Sequence, residues 1–114
     1  MIFTKMKKPS ITNLLELENL PLQNEFTETL LQHAHFRIER IVSKGHQTES
    51  GFWYDQEEHE YVGVLKGKGV LEFEGGEQVV LEVGDFINIE AHTKHRVVST
   101  SEKEETVWFA VFYT

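Results

Sequence analysis

The chain contains no cysteine, which excludes a disulfide framework, thiolate metal ligands and a cysteine nucleophile. Any metal would have to sit on His, Asp, Glu or amide oxygens. Proline is almost as scarce. Its two copies, Pro9 and Pro21, precede the long periodic region, so no missing backbone donor interrupts residues 26–114. Basic residues are in deficit, 11 Lys plus Arg against 19 Asp plus Glu, and the formal net charge is −8. A field of that sign repels phosphate backbones and anionic lipid, so neither nucleic acid nor a membrane is an expected partner. No apolar run approaches the roughly 18 residues of a membrane span, and the lysine-bearing stretch Met1 to Pro9 has no apolar region behind it. The expectation is a soluble, cytoplasmic protein.

What remains is a chain of 114 residues, the length of one small domain, with 39% hydrophobic and 11% aromatic residues, enough to close a single core. Residues 1–24 read as an irregular N-terminal arm. From Glu25 onward, short runs rich in Val, Ile, Phe and Tyr alternate with glycine breaks at Gly45, Gly51, Gly67, Gly69, Gly75-Gly76 and Gly84. This is all-β punctuation. Strands are expected near Phe26–Gln32, Phe36–Ser43, His59–Lys66, Val70–Glu74, Gln78–Val83, Phe86–Glu90, His95–Thr100 and Thr106–Tyr113. The glycines of Glu74-Gly75-Gly76-Glu77 suit a hairpin turn, and Gly67, Gly69 and Gly84 are read as turn glycines. The run Val107 to Tyr113 is apolar on both faces and belongs in the middle of a sheet. Eight or so short strands make a barrel or a sandwich.

Chemistry-bearing side chains gather in two places, Tyr54-Asp55-Gln56-Glu57-Glu58-His59-Glu60 and Glu90-Ala91-His92-Thr93-Lys94-His95-Arg96. While the first segment stays extended, Tyr54, Gln56, Glu58 and Glu60 share one face, and Trp53, Asp55, Glu57 and His59 the other. A bend would break that parity. Lys94 and Arg96 beside His95 suit an anion at a barrel mouth, and equally an ordinary surface.

The spacing of these clusters resembles the cupin superfamily. The second cupin motif, Gly-x5-Pro-x-Gly-x2-His-x3-Asn, is matched in spacing by Gly84, Glu90, His92, His95 and Ser99, with Glu90 in place of Pro, His92 in place of Gly and Ser99 in place of Asn. The first motif is matched only in its second half, Glu60-x6-Gly67. Its two histidines fall on Tyr54 and Gln56, or on Trp53 and Asp55, depending on the spacer. The resemblance covers roughly Phe36 to Tyr113 and implies a single antiparallel jelly-roll barrel of the cupin, RmlC-like type (residues 25–114), forming a homodimer.

It also implies one divalent metal ion (Mn, Fe, Ni or Zn) inside the barrel, held by Glu60 and His95, with Asp55 or Gln56 supplying oxygen near the lost histidine positions. His59 and His92 are read as residues supporting the ligands or as alternative ligands, and Trp53 and Tyr54 as pocket lining, although large aromatics in a small barrel are more often core. Three functions follow: a metal-dependent enzyme acting on a small molecule, a non-catalytic small-ligand binding or sensing protein, and a metal-independent isomerase or epimerase with His95 as base and a partner such as Tyr54.

Overall fold

The computed structural model describes residues 8–114; the first seven residues of the expected arm lie outside them. Eight strands follow in order: β1 (Phe26–His33), β2 (Phe36–Ser43), β3 (His59–Lys66), β4 (Gly69–Phe73), β5 (Gln78–Leu81), β6 (Phe86–Ile89), β7 (His95–Thr100) and β8 (Thr106–Tyr113). They form a five-stranded sheet, β1-β2-β8-β3-β6, and a three-stranded sheet, β5-β4-β7, with every strand pair antiparallel. Among the described residues there is no helix, and so none long and apolar enough to cross a membrane.

β8 lies between β2 and β3, the central position its two-sided apolar pattern requires. Its residues Trp108, Ala110 and Phe112 turn into the core with Val62 and Val64 of β3, Leu71, Leu81 and Ile89. This is the period-2 alternation that two packed sheets demand. The hairpin between β4 and β5 turns on Gly75 and Gly76, whose φ angles of 103° and 97° are left-handed.

Two sequence expectations need correction. Gly69 is not a turn glycine but the first residue of β4. It is buried, and a Cβ there would collide with the Trp108 indole. β5 stops at Leu81 because the backbone turns away: Glu82 N–H donates to the Asp85 carboxylate (2.9 Å) and Asp85 N–H to the Glu82 carbonyl (2.9 Å).

The arm, which has neither helix nor strand in its described part, is tied to the sheet by Arg40. On β2, Glu39 and Ile41 face the interior, so Arg40 points to the opposite side. Its guanidinium donates to the carbonyls of Leu14 (3.2 Å) and Glu16 (3.0 Å) and pairs with Glu28 (2.5 Å). Arg40 is only 6% exposed, and the arm carbonyls satisfy its Nη1, while Nε is buried without a partner among the described residues.

Candidate functional site

A cavity of about 210 Å³ opens between the two sheets. Its inner wall is apolar, formed by Val62, Leu71, Ile89, Val97, Trp108 and Phe112. Its polar wall carries Glu60, His95, Tyr54 and Gln56, and toward β1 and β2 Glu25, Thr27 and Glu39. A mostly apolar concavity with a few convergent polar groups is the usual form of a small-molecule site.

Glu60 and His95, 35 positions apart in the chain (95 − 60), meet here. His95 Nε2 stands 3.5 Å from Glu60 Oε1, and both residues are buried, at 5% and 8% exposure. The backbone explains the meeting. β3 and β7 belong to different sheets, and strand alternation sends Glu60 and Val62 of β3 toward the sheet that carries β7. The other imidazole nitrogen, Nδ1, lies 2.8 Å from the Thr93 carbonyl, which fixes it as a donor and leaves Nε2 to face Glu60. Burial pulls the imidazole down, but the Glu60 carboxylate and the Thr93 carbonyl outweigh it and hold His95 above its ordinary value.

The segment before β3 forms the adjoining wall. Tyr54 makes a two-way backbone bridge with His95, N–H to carbonyl at 2.8 Å in one direction and 3.1 Å in the other. Its ring stacks on the imidazole at 5.7 Å between centroids. Burial and the Glu25 charge push the Tyr54 phenol up.

The parity expected for this segment holds for Tyr54 and Gln56, which line the cavity with Glu60. A bend at Glu57–Glu58 then breaks it, and Glu58 pairs with Arg37 (2.5 Å). Asp55, on the opposite parity, is not among the lining residues; its carboxylate binds His92 Nδ1 at 2.8 Å, with both side chains well exposed. Trp53 is also outside, beneath the Arg96 guanidinium (4.9 Å to the ring). His59 accepts the Ala91 N–H (3.0 Å) and packs on Tyr113. His92 sits at a left-handed φ of 62°, the backbone that explains the glycine of the cupin pattern at this position.

Sequence reasoning missed Glu25, Thr27 and Glu39. They belong to β1, its approach and β2, away from both motifs, and only the register Thr27↔Ile41 and Glu28↔Arg40 carries them to the cavity. The basic pair beside His95 is spent elsewhere. Arg96 binds Glu72 (2.7 Å), Lys94 approaches Glu74 (3.6 Å), and neither lines the cavity.

The donor set for a resident metal is thin. Among the described residues, no group of three or more His, Asp or Glu side chains could hold an ion. Glu60 and His95 meet beside neutral Gln56, Glu25 and Glu39 line the cavity without completing a ligand group with them, and Asp55 is turned away. Catalytic metal sites ordinarily have three protein ligands of histidine or carboxylate type, and this cavity does not provide them.

The cupin domain family matches residues 40–112. Among solved structures, the chain is similar to a provisionally assigned mannose-6-phosphate isomerase from Ralstonia eutropha JMP134, with 37% identity, a TM-score of 0.85, and coverage of 92% of this chain and 98% of that one. An RmlC-like cupin protein from Desulfovibrio desulfuricans shares the fold at 19% identity, TM-score 0.71, covering 92% and 97%. So does a cupin superfamily protein from Desulfitobacterium hafniense DCB-2, at 13% identity and TM-score 0.73, covering 95% and 93%. No match was found among curated proteins.

Proposed function

Because the chain belongs to the cupin domain family, we propose that it binds a small polar molecule in the barrel and moves a proton on it through the His95–Glu60 pair, as a metal-independent isomerase or epimerase would. The observation that carries this reading is the anchored imidazole: Nδ1 is committed to the Thr93 carbonyl while Nε2 faces Glu60 Oε1 inside the cavity.

With Nδ1 protonated, a neutral ring would turn the Nε2 lone pair toward a carboxylate, an unfavourable contact. One further proton, held between Nε2 and Oε1, removes the repulsion. The Glu60 carboxylate thus favours the protonated imidazole, and the pair can pass a proton to or from a substrate atom. At 3.5 Å the contact is looser than the roughly 2.7–2.9 Å of a tight charge-assisted bond, so a substrate atom can join it from the cavity side. Tyr54 and Gln56 supply hydrogen bonds for orientation, and the apolar wall keeps water from competing. The Ralstonia relative supports this class of chemistry, since aldose–ketose isomerisation needs a proton removed next to a carbonyl.

The test is solvent exchange. In D2O, a panel of aldoses, ketoses and amino sugars is followed by proton NMR for loss of the hydrogen adjacent to the carbonyl. The wild type is expected to exchange at least one member, and His95→Ala and Glu60→Gln to be slower by about 10²–10⁴-fold, the usual contribution of a positioned acid or base. Saturable binding without exchange would reduce the protein to a binding module. Stoichiometric Mn, Fe, Ni or Zn whose chelation abolishes exchange would overturn the metal-independent reading.

A further inference from the structure

We infer that the ligand of this cavity is a small organic cation, a primary or quaternary ammonium compound, and not a phosphorylated sugar. The inference rests on the cavity being the binding site and adds the charge of what enters it.

Three carboxylates line the cavity, Glu25, Glu39 and Glu60, and among the described residues none of the lining side chains is Lys or Arg. Two of the three charges are answered. Glu39 takes the Arg37 Nε–H at 2.8 Å, and Glu60 faces the His95 imidazole at 3.5 Å. Glu25 has only a hydroxyl, Ser43 Oγ at 2.8 Å, and no basic partner among the described residues. Its negative charge is felt across the cavity by Tyr54, whose phenol it helps to push up. The two cations that flank His95 in sequence, Lys94 and Arg96, are paired on the outside. The whole-chain charge of −8 adds to the same sign.

The rest of the wall suits the same guest. Tyr54, Trp108 and Phe112 line the cavity, and aromatic rings attract ammonium groups once water is excluded. One of these rings already accepts a cation, since the Arg37 guanidinium lies 4.2 Å from the Phe112 centroid. A phosphate dianion finds the reverse among the described residues: a carboxylate without a basic partner, no Lys or Arg on the wall and no helix N-terminus to offer backbone donors. At about 210 Å³ the cavity is below the roughly 300–1,000 Å³ of drug-sized sites, so the guest is of monosaccharide or amino-alcohol size. The ammonium belongs beside Glu25 and the aromatic faces, with the rest of the molecule toward His95 and Glu60.

The experiment is calorimetric titration of the full-length protein with four probes: glucosamine, glucose, glucose 6-phosphate and choline. At least one ammonium probe is expected to bind tenfold or more tightly than glucose, and glucose 6-phosphate not to bind. Raising salt should erode that preference. Glu25→Gln should lower ammonium affinity about tenfold while leaving glucose unchanged, and Glu25→Lys should reverse the ranking toward the phosphate. Glu25 is exposed and precedes β1, so both variants retain the strands. Preference for the phosphate, equal binding irrespective of charge, or indifference to Glu25→Gln would overturn the inference and leave the cavity as the site. Binding of none of the four would overturn it and remove the cavity as a site for ligands of this size. Loss of solvent exchange in His95→Ala, with ammonium preference intact, would show that the acid–base and charge readings stand apart.

Discussion

At the scale of single residues, His95 carries the most consequence because its protonation is tied to folding. Its folded value lies above the ordinary 6.5, so protonation stabilises the fold. That contribution is fully present below the unfolded value near 6.5 and is lost as pH rises through the raised folded value. Thermal melts of the wild type should therefore fall in Tm as pH climbs above about 6.5, the ordinary imidazole value. In Glu60→Gln, where the carboxylate that raises His95 is gone, burial is left to dominate. The His95 titration followed by NMR should then move down, and the fall in Tm above pH 6.5 should shrink or reverse, because burial alone disfavours the charged ring. An unshifted titration in that variant would show that Glu60 does not set the proton on His95.

The pairing of Glu60 with His95 was legible in the sequence, because the cupin spacing selects both residues independently. The fate of Asp55 was not. Strand parity separates it from Gln56, but only the structure shows that Tyr54 and Gln56, and not Trp53 and Asp55, take the inward face. The glycine position occupied by His92 shows how a departure from the family pattern is tolerated. Its left-handed backbone costs about 1–2 kcal/mol for a residue with a Cβ, and the bonds to the Asp55 carboxylate and the Gln56 carbonyl (2.8 Å each) offset it.

At the scale of elements, two buried glycines set how closely β-strands and rings approach. A Cβ on Gly63 of β3 would meet the ring of Phe86, and one on Gly69 of β4 the indole of Trp108. Gly63→Ala and Gly69→Ala should each destabilise the fold by about 1–3 kcal/mol, the range for overpacking, read from denaturant midpoints. The two should differ in function. Trp108 lines the cavity and Phe86 does not, so only Gly69→Ala should also change ligand affinity and tryptophan fluorescence. Equal effects on binding would mean that the cavity wall is set by something other than the Gly69–Trp108 contact.

The strands themselves were readable because their residues alternate or run apolar between glycines. β2, β3, β7 and β8 have the bounds their patterns imply. What the pattern could not convey was tertiary. Gly69 looks like a turn residue until the indole above it is seen. Glu25, Thr27 and Glu39 look like solvated positions until β1 and β2 are laid in register beside the cavity.

At the scale of the whole molecule, the Arg40 guanidinium ties the arm to the barrel, alongside a longer contact of the His46 ring with the Gln23 carbonyl (3.5 Å). Removing it in Arg40→Met deprives Leu14 and Glu16 of their donor and Glu28 of its cation. Hydrogen bonds to charged groups are worth about 1.5–3 kcal/mol, and the partial exposure of Glu28 keeps the expected loss toward the lower end of that range. Limited proteolysis should then cut within residues 10–24 of the variant at protease levels that spare the wild type, while the barrel fragment survives. Unchanged cleavage would show that other contacts secure the arm.

The stretch from residue 46 to 56 has no strand of its own, yet it is sewn to β7 along its length. His46 accepts from Thr100, Thr48 exchanges bonds with Val97, Tyr54 with His95, and Gln56 accepts from His92. Each stitch fixes a position in this stretch opposite a position in β7 or, for Gln56, in the turn before it. An inserted or deleted residue there would slide Tyr54 and Gln56 out of alignment with the imidazole they flank. Such a protein can acquire a new guest by exchanging side chains along this seam, but not by lengthening or shortening it, which makes loop length the trait its descendants are least free to vary.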